Sequence, residues 1–233
     1  MNHAASLITY GRLEYAEALD LQHRLRAERE SESIPDTLVL LEHPAVFTIG
    51  RSGRSEHWGE NEALLRDTGV PVHHVERGGS ITYHGPGQLI GYPVLKLATF
   101  CPGPKVYMSM LEEVLIRTLA DWDLAASRIA GLTGVWVGHH KIAAMGVRII
   151  RGITMHGFAL NVDMDLAPFS RIVPCGIADC RVTSMAVELS RTVDRAAVRA
   201  AVARHFACVF DLEWNELANG PGSLTGKISA PYM

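Results

Sequence analysis

Three β-type runs follow one another between residues 134 and 162, and they constrain the fold more than any other feature. They read GVWVG, KIAAMGVRI and TMHGFALNV, with short turns between them that contain glycine, histidine or an Arg-Gly pair. Helical periodicity precedes them at residues 13–30 and 106–122, and it returns near 184–189 and 193–209. Strands grouped in runs, with helices before and after, favour an α+β or mixed α/β fold over strict βαβ alternation.

The first third of the chain predicts further strands and a short helix. TLVLLEH and VFTIG stand on either side of Pro44 and are apolar enough to form buried strands. A short helix is expected from Asn61 to Asp67, ending at Gly69, and PVHHVER follows it as a short strand. No internal repeat or linker divides the sequence. The length of 233 residues therefore predicts a single domain over residues 1–218, followed by a flexible tail at 219–233 that is rich in Gly, Pro and Ser.

Charge and composition exclude several functional classes. The formal net charge is −3 and no basic patch is present, so nucleic-acid binding is not expected. No run of 18 or more apolar residues occurs, so no membrane span is expected. The 11 histidines show no HExxH or other metal-ligand spacing, and the four cysteines contain no CxxC pair. We therefore predict reduced thiols, a cytoplasmic location and no metal.

A glycine-rich segment at residues 77–89 is the strongest candidate for a binding site. It reads RGGSITYHGPGQL and has neither the GxxxxGK[ST] order of a phosphate-binding loop nor the GxGxxG spacing of a dinucleotide site. Glycine lets backbone approach a ligand closely. Arg77, Thr82, His84 and Gln88 add hydrogen-bonding groups, as is typical of residues that line a site. The alternative is a glycine-rich turn between two strands.

One cysteine and one lysine are candidates for chemistry. Cys175 lies in Val-Pro-Cys-Gly-Ile, where the proline and the glycine predict a tight and exposed turn. Cys208 is instead expected to pack into the core from a helix. Lys141 opens an otherwise apolar strand, and an ammonium beside a thiol lowers the pKa of that thiol. The alternatives are a buried, unreactive cysteine and a solvated lysine at the end of a strand.

The glycine-rich segment and its continuation, RGGSITYHGPGQLIGYP, resemble the signature of the lipoyl(octanoyl)transferase family. LEHPAVFTIGR before it, KIAAMGVRI and HGFALNV in the middle, and IVPCGI after it are similar to further motifs of that family, in the same order. The resemblance covers roughly residues 38–190. It implies a biotin/lipoate protein ligase-like fold, in which a mixed sheet is flanked by helices.

The resemblance also implies which residues act in a catalytic acyltransferase domain. Cys175 would be the nucleophile that forms an acyl-thioester intermediate, and Lys141 would lower the pKa of Cys175 and serve as general acid/base. Three segments would bind substrate. Their members are Arg77, Gly78, Gly79, Ser80, Ile81, Thr82, Tyr83, His84, Ala144, Met145, Gly146, Gly157, Phe158 and Ala159.

By the same resemblance the chain is an octanoyltransferase of protein lipoylation. Its donor would be octanoyl-acyl carrier protein. Its acceptors would be lysines of lipoyl domains, in the E2 subunits of 2-oxoacid dehydrogenases and in the glycine cleavage H protein. Because an amide forms downhill from a thioester, no nucleotide and no other cofactor is expected.

Three other readings of the sequence lead to different activities. An ATP-dependent lipoate or biotin protein ligase shares the implied fold but needs no nucleophilic cysteine. A cysteine hydrolase would pair Cys175 with His84 or His156. A binding module without activity would hold an acyl chain on the same scaffold.

Overall fold

The computed structural model describes residues 3–60, 62–176 and 180–215. Its helices are α1 (Tyr15–Glu30), α2 (Glu62–Arg66), α3 (Pro104–Ala120), α4 (Met185–Leu189) and α5 (Arg195–Phe210). Its strands are β1 (His3–Arg12), β2 (Asp36–Glu42), β3 (Val46–Ile49), β4 (Val72–His74), β5 (Ile81–His84), β6 (Gln88–Val94), β7 (Ala126–Ile129), β8 (Leu132–Val137), β9 (His140–Ile150), β10 (Ile153–Asn161), β11 (Arg181–Val182) and β12 (Leu212–Trp214).

The strands form one large and one small mixed sheet within the described residues. The large sheet runs β12-β1-β2-β6-β10-β9-β8-β7, and β11 adds to the start of β9. β1 pairs in parallel with β2 and β12, whereas β6, β10, β9 and β8 pair antiparallel. The small sheet, β4-β3-β5, is joined to the large one by the turn between β5 and β6. The predicted mixed α+β class is confirmed.

Alternating side chains of the large sheet supply a core on each face. On β2, Leu38 and Leu40 face the layer built by α3 and α5, whereas Val39 and Leu41 face α1. All four leucine and valine side chains are fully buried. Burial on both faces explains why this strand reads as a continuous apolar run in the sequence. No helix among the described residues has the length and apolarity needed to cross a bilayer.

Most of the predicted elements are confirmed, and others were not foreseen. The helices predicted at 13–30, 106–122, 184–189 and 193–209 correspond to α1, α3, α4 and α5. The three β-type runs become β8, β9 and β10, and the early strands become β2, β3 and β4. Asn61, the expected first residue of α2, and the tail at 219–233 lie outside the described residues. Strands β1, β7, β11 and β12 carried no prediction.

Candidate active site

The three segments predicted to bind substrate meet at one cavity of about 440 Å³. The glycine-rich segment forms one wall, and the middles of β9 and β10 form another. Of the predicted residues, the cavity is lined by Arg77, Gly78, Gly79, Ser80, Thr82, His84, Ala144, Met145, Gly146, Gly157, Phe158 and Ala159. Ile81 and Tyr83 alternate to the other face of β5 and pack with Phe47 instead, so the structure does not bring them to the cavity.

Two glycines that line this cavity lie where the backbone of a neighbouring segment comes close. A β-carbon at Gly146 would lie 2.7 Å from the carbonyl oxygen of Gly78, and one at Gly157 would lie 2.2 Å from that of Gly91. The backbone N–H of Gly78 donates to the Val147 carbonyl at 3.0 Å. The glycine-rich segment therefore rests directly on β9, and a side chain at Gly146 would push the two apart. A side chain at Gly157 would instead push apart the paired strands β10 and β6.

Arg77 fixes the glycine-rich segment to strand β3. Its Nη2 donates to the carbonyl and the hydroxyl oxygens of Thr48 at 2.7 and 2.9 Å, and its Nη1 donates to the Gly78 carbonyl at 3.0 Å. The side chain is buried yet lines the cavity. A guanidinium keeps its charge at any accessible pH, so Arg77 gives this wall a fixed positive charge.

The two histidines at the cavity are neutral at neutral pH. Burial, together with the nearby His43, lowers the pKa of His84 to about 3. Burial, followed by the charge of Arg77, lowers the pKa of His156 to about 3 as well. A base with so low a pKa holds a proton poorly near pH 7. These low pKa values disfavour the cysteine hydrolase, which needs one of these histidines as its general base.

A buried chain of hydrogen bonds runs from His84 to the backbone of Lys141. Gln88 Nε2 donates to Asn161 Oδ1 at 2.9 Å, so Gln88 Oε1 is left to accept from His84 Nδ1 at 2.7 Å. Asn161 Nδ2 donates to the Thr183 carbonyl at 2.9 Å. The Thr183 N–H donates in turn to the Lys141 carbonyl at 2.9 Å. The glycine-rich segment and the start of β9 are thus held in one rigid arrangement.

Replacing Asn161 with leucine should lower the free energy of unfolding by about 3 kcal/mol, because the Thr183 carbonyl and a Gln88 N–H each lose a buried partner. Urea unfolding measures this change. The exposed Asn215 offers a matched control, and its change to leucine should stay within about 0.5 kcal/mol. Equal free energies of unfolding for the two variants would show that this chain of hydrogen bonds contributes little to stability.

Lys141 is a buried residue, not the solvated strand-end lysine that its sequence context allowed. Its side chain is 3% exposed, and its Nζ lies 5.0 Å from the centre of the Trp136 ring. Gly134 makes room for it, since a β-carbon there would lie 2.7 Å from Lys141 Cε. Within residues 3–60, 62–176 and 180–215, no carboxylate lies within ion-pair distance of this ammonium. A buried cation without an anionic partner favours a negative charge in its surroundings.

The segment around Cys175 adjoins the same end of β9. Pro174–Gly176 forms a 3₁₀ turn, as the proline and glycine predicted, with Gly176 at a φ of +67°. A few residues later the chain forms β11, which pairs Val182 with Lys141 in parallel. Pro174 and His140 also line a common cavity of about 400 Å³. The proximity of the Cys175 sulfur to the Lys141 ammonium stays a prediction.

Of the other cysteines, Cys208 overturns an expectation. It is exposed on α5 and does not pack in the core. Phe206 and Phe210, on either side of it, are fully buried. Residues four apart share a helix face, and the residue midway between them points away from it. Cys101 is buried.

Several cavity residues were missed by sequence reasoning. Tyr15 comes from the first turn of α1 and Tyr92 from β6, while Met108 of α3 and residues 131–133 at the start of β8 close another side. Burial raises the pKa of Tyr15 to about 12, so its phenol is neutral. Tyr92 lies within the quoted segment RGGSITYHGPGQLIGYP, but the other residues lie far apart in the sequence and carry no motif, so only the fold reveals them. No group of three or more His, Cys, Asp or Glu side chains suited to a metal occurs in the described part of the chain.

Three buried histidines at this site should make the protein less stable in acid. Burial lowers the pKa of His43 to about 4, and His84 and His156 have pKa values of about 3, against an ordinary 6.5. The unfolded chain takes up protons below pH 6.5 and the folded chain does not, so stability is complete above pH 6.5 and falls towards pH 4. Each histidine should contribute about 1.4 kcal/mol per pH unit in that window.

Urea unfolding at pH 7.5, 6.0 and 5.0 tests this dependence. A His74→Ala variant is the control, because His74 is exposed and should leave the dependence unchanged. Constant stability between pH 7.5 and 5.0 would mean that the three histidines are not held neutral.

Comparison with known proteins places these features in a family. Residues 14–207 match the model of the lipoyl protein ligase A/B catalytic domain. An octanoyltransferase of Acidobacterium capsulatum is 44% identical over 96% of this chain and 97% of its own length.

Solved structures confirm the predicted ligase-like fold. Lipoate-protein ligase A bound with ATP has a TM-score of 0.73 at 18% identity, covering 93% of this chain and 88% of its own. A bipartite lipoate protein ligase studied with its E2 lipoyl domain, from Thermoplasma acidophilum, has a TM-score of 0.71 at 18% identity, covering 92% and 87%. At such identities the likeness concerns the fold alone.

Proposed function

The chain belongs to the lipoyl(octanoyl)transferase family of acyltransferases, within the lipoyl protein ligase A/B catalytic-domain family, and we propose that it carries the octanoyl group as a thioester on Cys175. The donor in this proposal is octanoyl-acyl carrier protein. The acceptor is a specific lysine of a lipoyl domain. The proposal takes residues 1–218 as the single catalytic domain.

In the first half-reaction the Cys175 thiolate attacks the carbonyl carbon of the donor thioester. A bond forms between carbon and the Cys175 sulfur, and the bond to the carrier sulfur breaks. The carrier leaves as a thiolate and takes the proton of the Lys141 ammonium, which leaves Lys141 neutral. Because one thioester replaces another, the step is nearly balanced in free energy.

In the second half-reaction the lysine amine of the acceptor attacks the same carbonyl carbon. The amide bond forms, the bond to the Cys175 sulfur breaks, and the amine gives up a proton. Lys141 in its neutral form accepts that proton and returns one to the leaving thiolate. Amide formation from a thioester is downhill, so neither ATP nor a cofactor takes part.

One observation carries the proposal: Lys141 is buried, has no carboxylate partner among the described residues, and lies on the strand that receives the segment following Cys175. An ammonium in low-dielectric surroundings stabilises a nearby thiolate more strongly than one in water. A lysine so placed suits both half-reactions.

The cavity supports an apolar acyl substrate. Met108, Met145 and Phe158 contribute apolar lining, and the glycine-rich segment lines the cavity beside them. The acceptors proposed are the lipoyl domains of E2 subunits and the glycine cleavage H protein. The Thermoplasma ligase was studied with its E2 lipoyl domain, which fits an acceptor of this kind on the shared fold. A thiol nucleophile also needs a reducing compartment, in keeping with a cytoplasmic location.

Intact-mass measurement after mixing with octanoyl-carrier protein tests the proposal. We expect one added octanoyl mass, and peptide mapping should assign it to Cys175 without ATP. An adduct on Cys101 or Cys180 would reject the assignment. Transfer that needs ATP and free octanoate would identify a ligase, and release of octanoate without an acceptor would identify a hydrolase.

A further inference from the structure

His57 contacts the turn that contains Cys175, although no sequence motif singled it out. The N–H of Val173 donates to the His57 carbonyl at 2.8 Å. A β-carbon at Gly176 would lie 2.9 Å from Cε1 of the His57 ring and 3.1 Å from its Nε2. The imidazole is therefore in close contact with the backbone of Gly176, the residue that follows Cys175.

The other edge of the same ring reaches the wall of the cavity. His57 Nδ1 lies 2.5 Å from Oγ of Ser80, which is 2% exposed and lines the cavity. The ring thus bridges two parts of the protein that are distant in sequence: the Cys175 turn and the glycine-rich segment.

The donors around His57 define its tautomer. The backbone N–H of Arg54 points at Nδ1 from 3.3 Å, and a backbone N–H can only donate. Nδ1 is therefore the acceptor, and the Ser80 hydroxyl donates to it. A neutral ring of this tautomer carries its proton on Nε2. This nitrogen also lies 3.7 Å from the exposed carboxylate of Glu56.

We propose that His57 is a positioning residue, which locks the Cys175 turn against the cavity wall through Ser80. The inference rests on the proposed function, because it concerns where Cys175 meets the acyl group. Glycine at 176 gives the turn its positive φ and leaves room for the ring. A nucleophile displaced by about 1 Å loses roughly 10²-fold in rate, so a lock on this turn acts on catalysis and not on donor binding.

The test is the single-turnover rate at which octanoyl-carrier protein acylates Cys175. We expect His57→Ala to slow acylation at saturating donor by roughly 10²-fold, with the donor concentration for half-maximal rate changed by less than about twofold. His74→Ala is the matched control, since His74 is an exposed histidine paired with Glu62, and it should acylate at the parental rate.

Two further variants separate the two contacts of the ring. His57→Phe keeps a ring against Gly176 but cannot accept from Ser80, and Ser80→Ala removes the same hydrogen bond from the other side. We expect each to slow acylation by about tenfold at saturating donor. If His57→Ala does not fold, His57→Phe and Ser80→Ala decide the question.

Parental rates in the His57 variants, or a defect that saturating donor removes, would overturn the positioning role. A parent enzyme that forms no adduct on Cys175 would instead refute the proposed function. The two failures can be told apart, because this one is seen in the parent before any variant is made.

Discussion

Replacing Cys175 with alanine should reduce octanoyl transfer to a lipoyl domain by roughly 10⁴-fold or more, because both half-reactions pass through this sulfur. The donor thioester and the acceptor amine would then have to react directly, without a group to receive the acyl chain. Transfer is measured by the mass of the lipoyl domain under multiple-turnover conditions. Octanoyl-carrier protein should still bind the variant, since the walls of the cavity come from other segments.

Cys208→Ala provides the matched control for this variant. Cys208 is exposed and lies on α5, away from the residues that line the cavity, so its removal should leave the rate unchanged. Retained transfer in Cys175→Ala would mean that another nucleophile, or direct transfer, accounts for the activity.

The second large effect is expected at Lys141. Lys141→Met should slow both half-reactions by roughly 10³-fold, because the variant loses the charge that favours the thiolate and the group that exchanges protons. Methionine has a similar length and no charge, so it should keep the contact with Trp136 without lowering the free energy of unfolding. Single-turnover acylation and subsequent transfer are measured separately.

Lys141→Arg separates the two roles. Arginine keeps a positive charge but does not give up its proton at accessible pH. Acylation of Cys175 should therefore be partly retained, and transfer to the amine should be lost.

Iodoacetamide should label parental Cys175 at a lower pH than an ordinary thiol requires, and the Lys141→Met variant should need the higher pH of an ordinary thiol. Equal labelling of parent and methionine variant would contradict the charge coupling.

The sequence predicts the elements that have strong local patterns. Strand β2 is apolar on both faces, and α3 keeps an apolar stripe over four turns, so each is evident from a single window. Strand β1 could not be predicted from a local pattern, because it is stabilised by distant partners. Leu7 pairs with Leu38 of β2, and Ala5 pairs with Trp214 of β12. Pairing of this kind is a property of the whole fold and leaves no local signal.

The candidate site likewise contains residues that the sequence predicts and residues that only the fold brings there. The glycine-rich segment and the glycines of β9 and β10 are evident in the sequence, because backbone packing there excludes a β-carbon. Ile81 and Tyr83 lie in the motif but face the core, since strand geometry sends alternate side chains to opposite faces. Tyr15 and His57 lie outside every motif and reach the site only through the fold.

The burial and the pKa values of the charged and titratable side chains at the site could be determined only from the structure. The sequence allowed Lys141 to be a solvated residue, and burial at 3% exposure excludes that. It equally allowed His84 or His156 to be a base, whereas their burial lowers both pKa values to about 3. Burial depends on distant segments such as α1 and α3, which no motif describes.

The most direct test is a chase of isolated acyl-enzyme. Enzyme loaded with octanoate on Cys175 is freed of donor and mixed with a lipoyl domain, without ATP. The octanoyl mass should disappear from Cys175 and appear on one lysine of the lipoyl domain, in equal amount. A thioester that persists beside the acceptor, or that yields only free octanoate, would contradict transfer through Cys175.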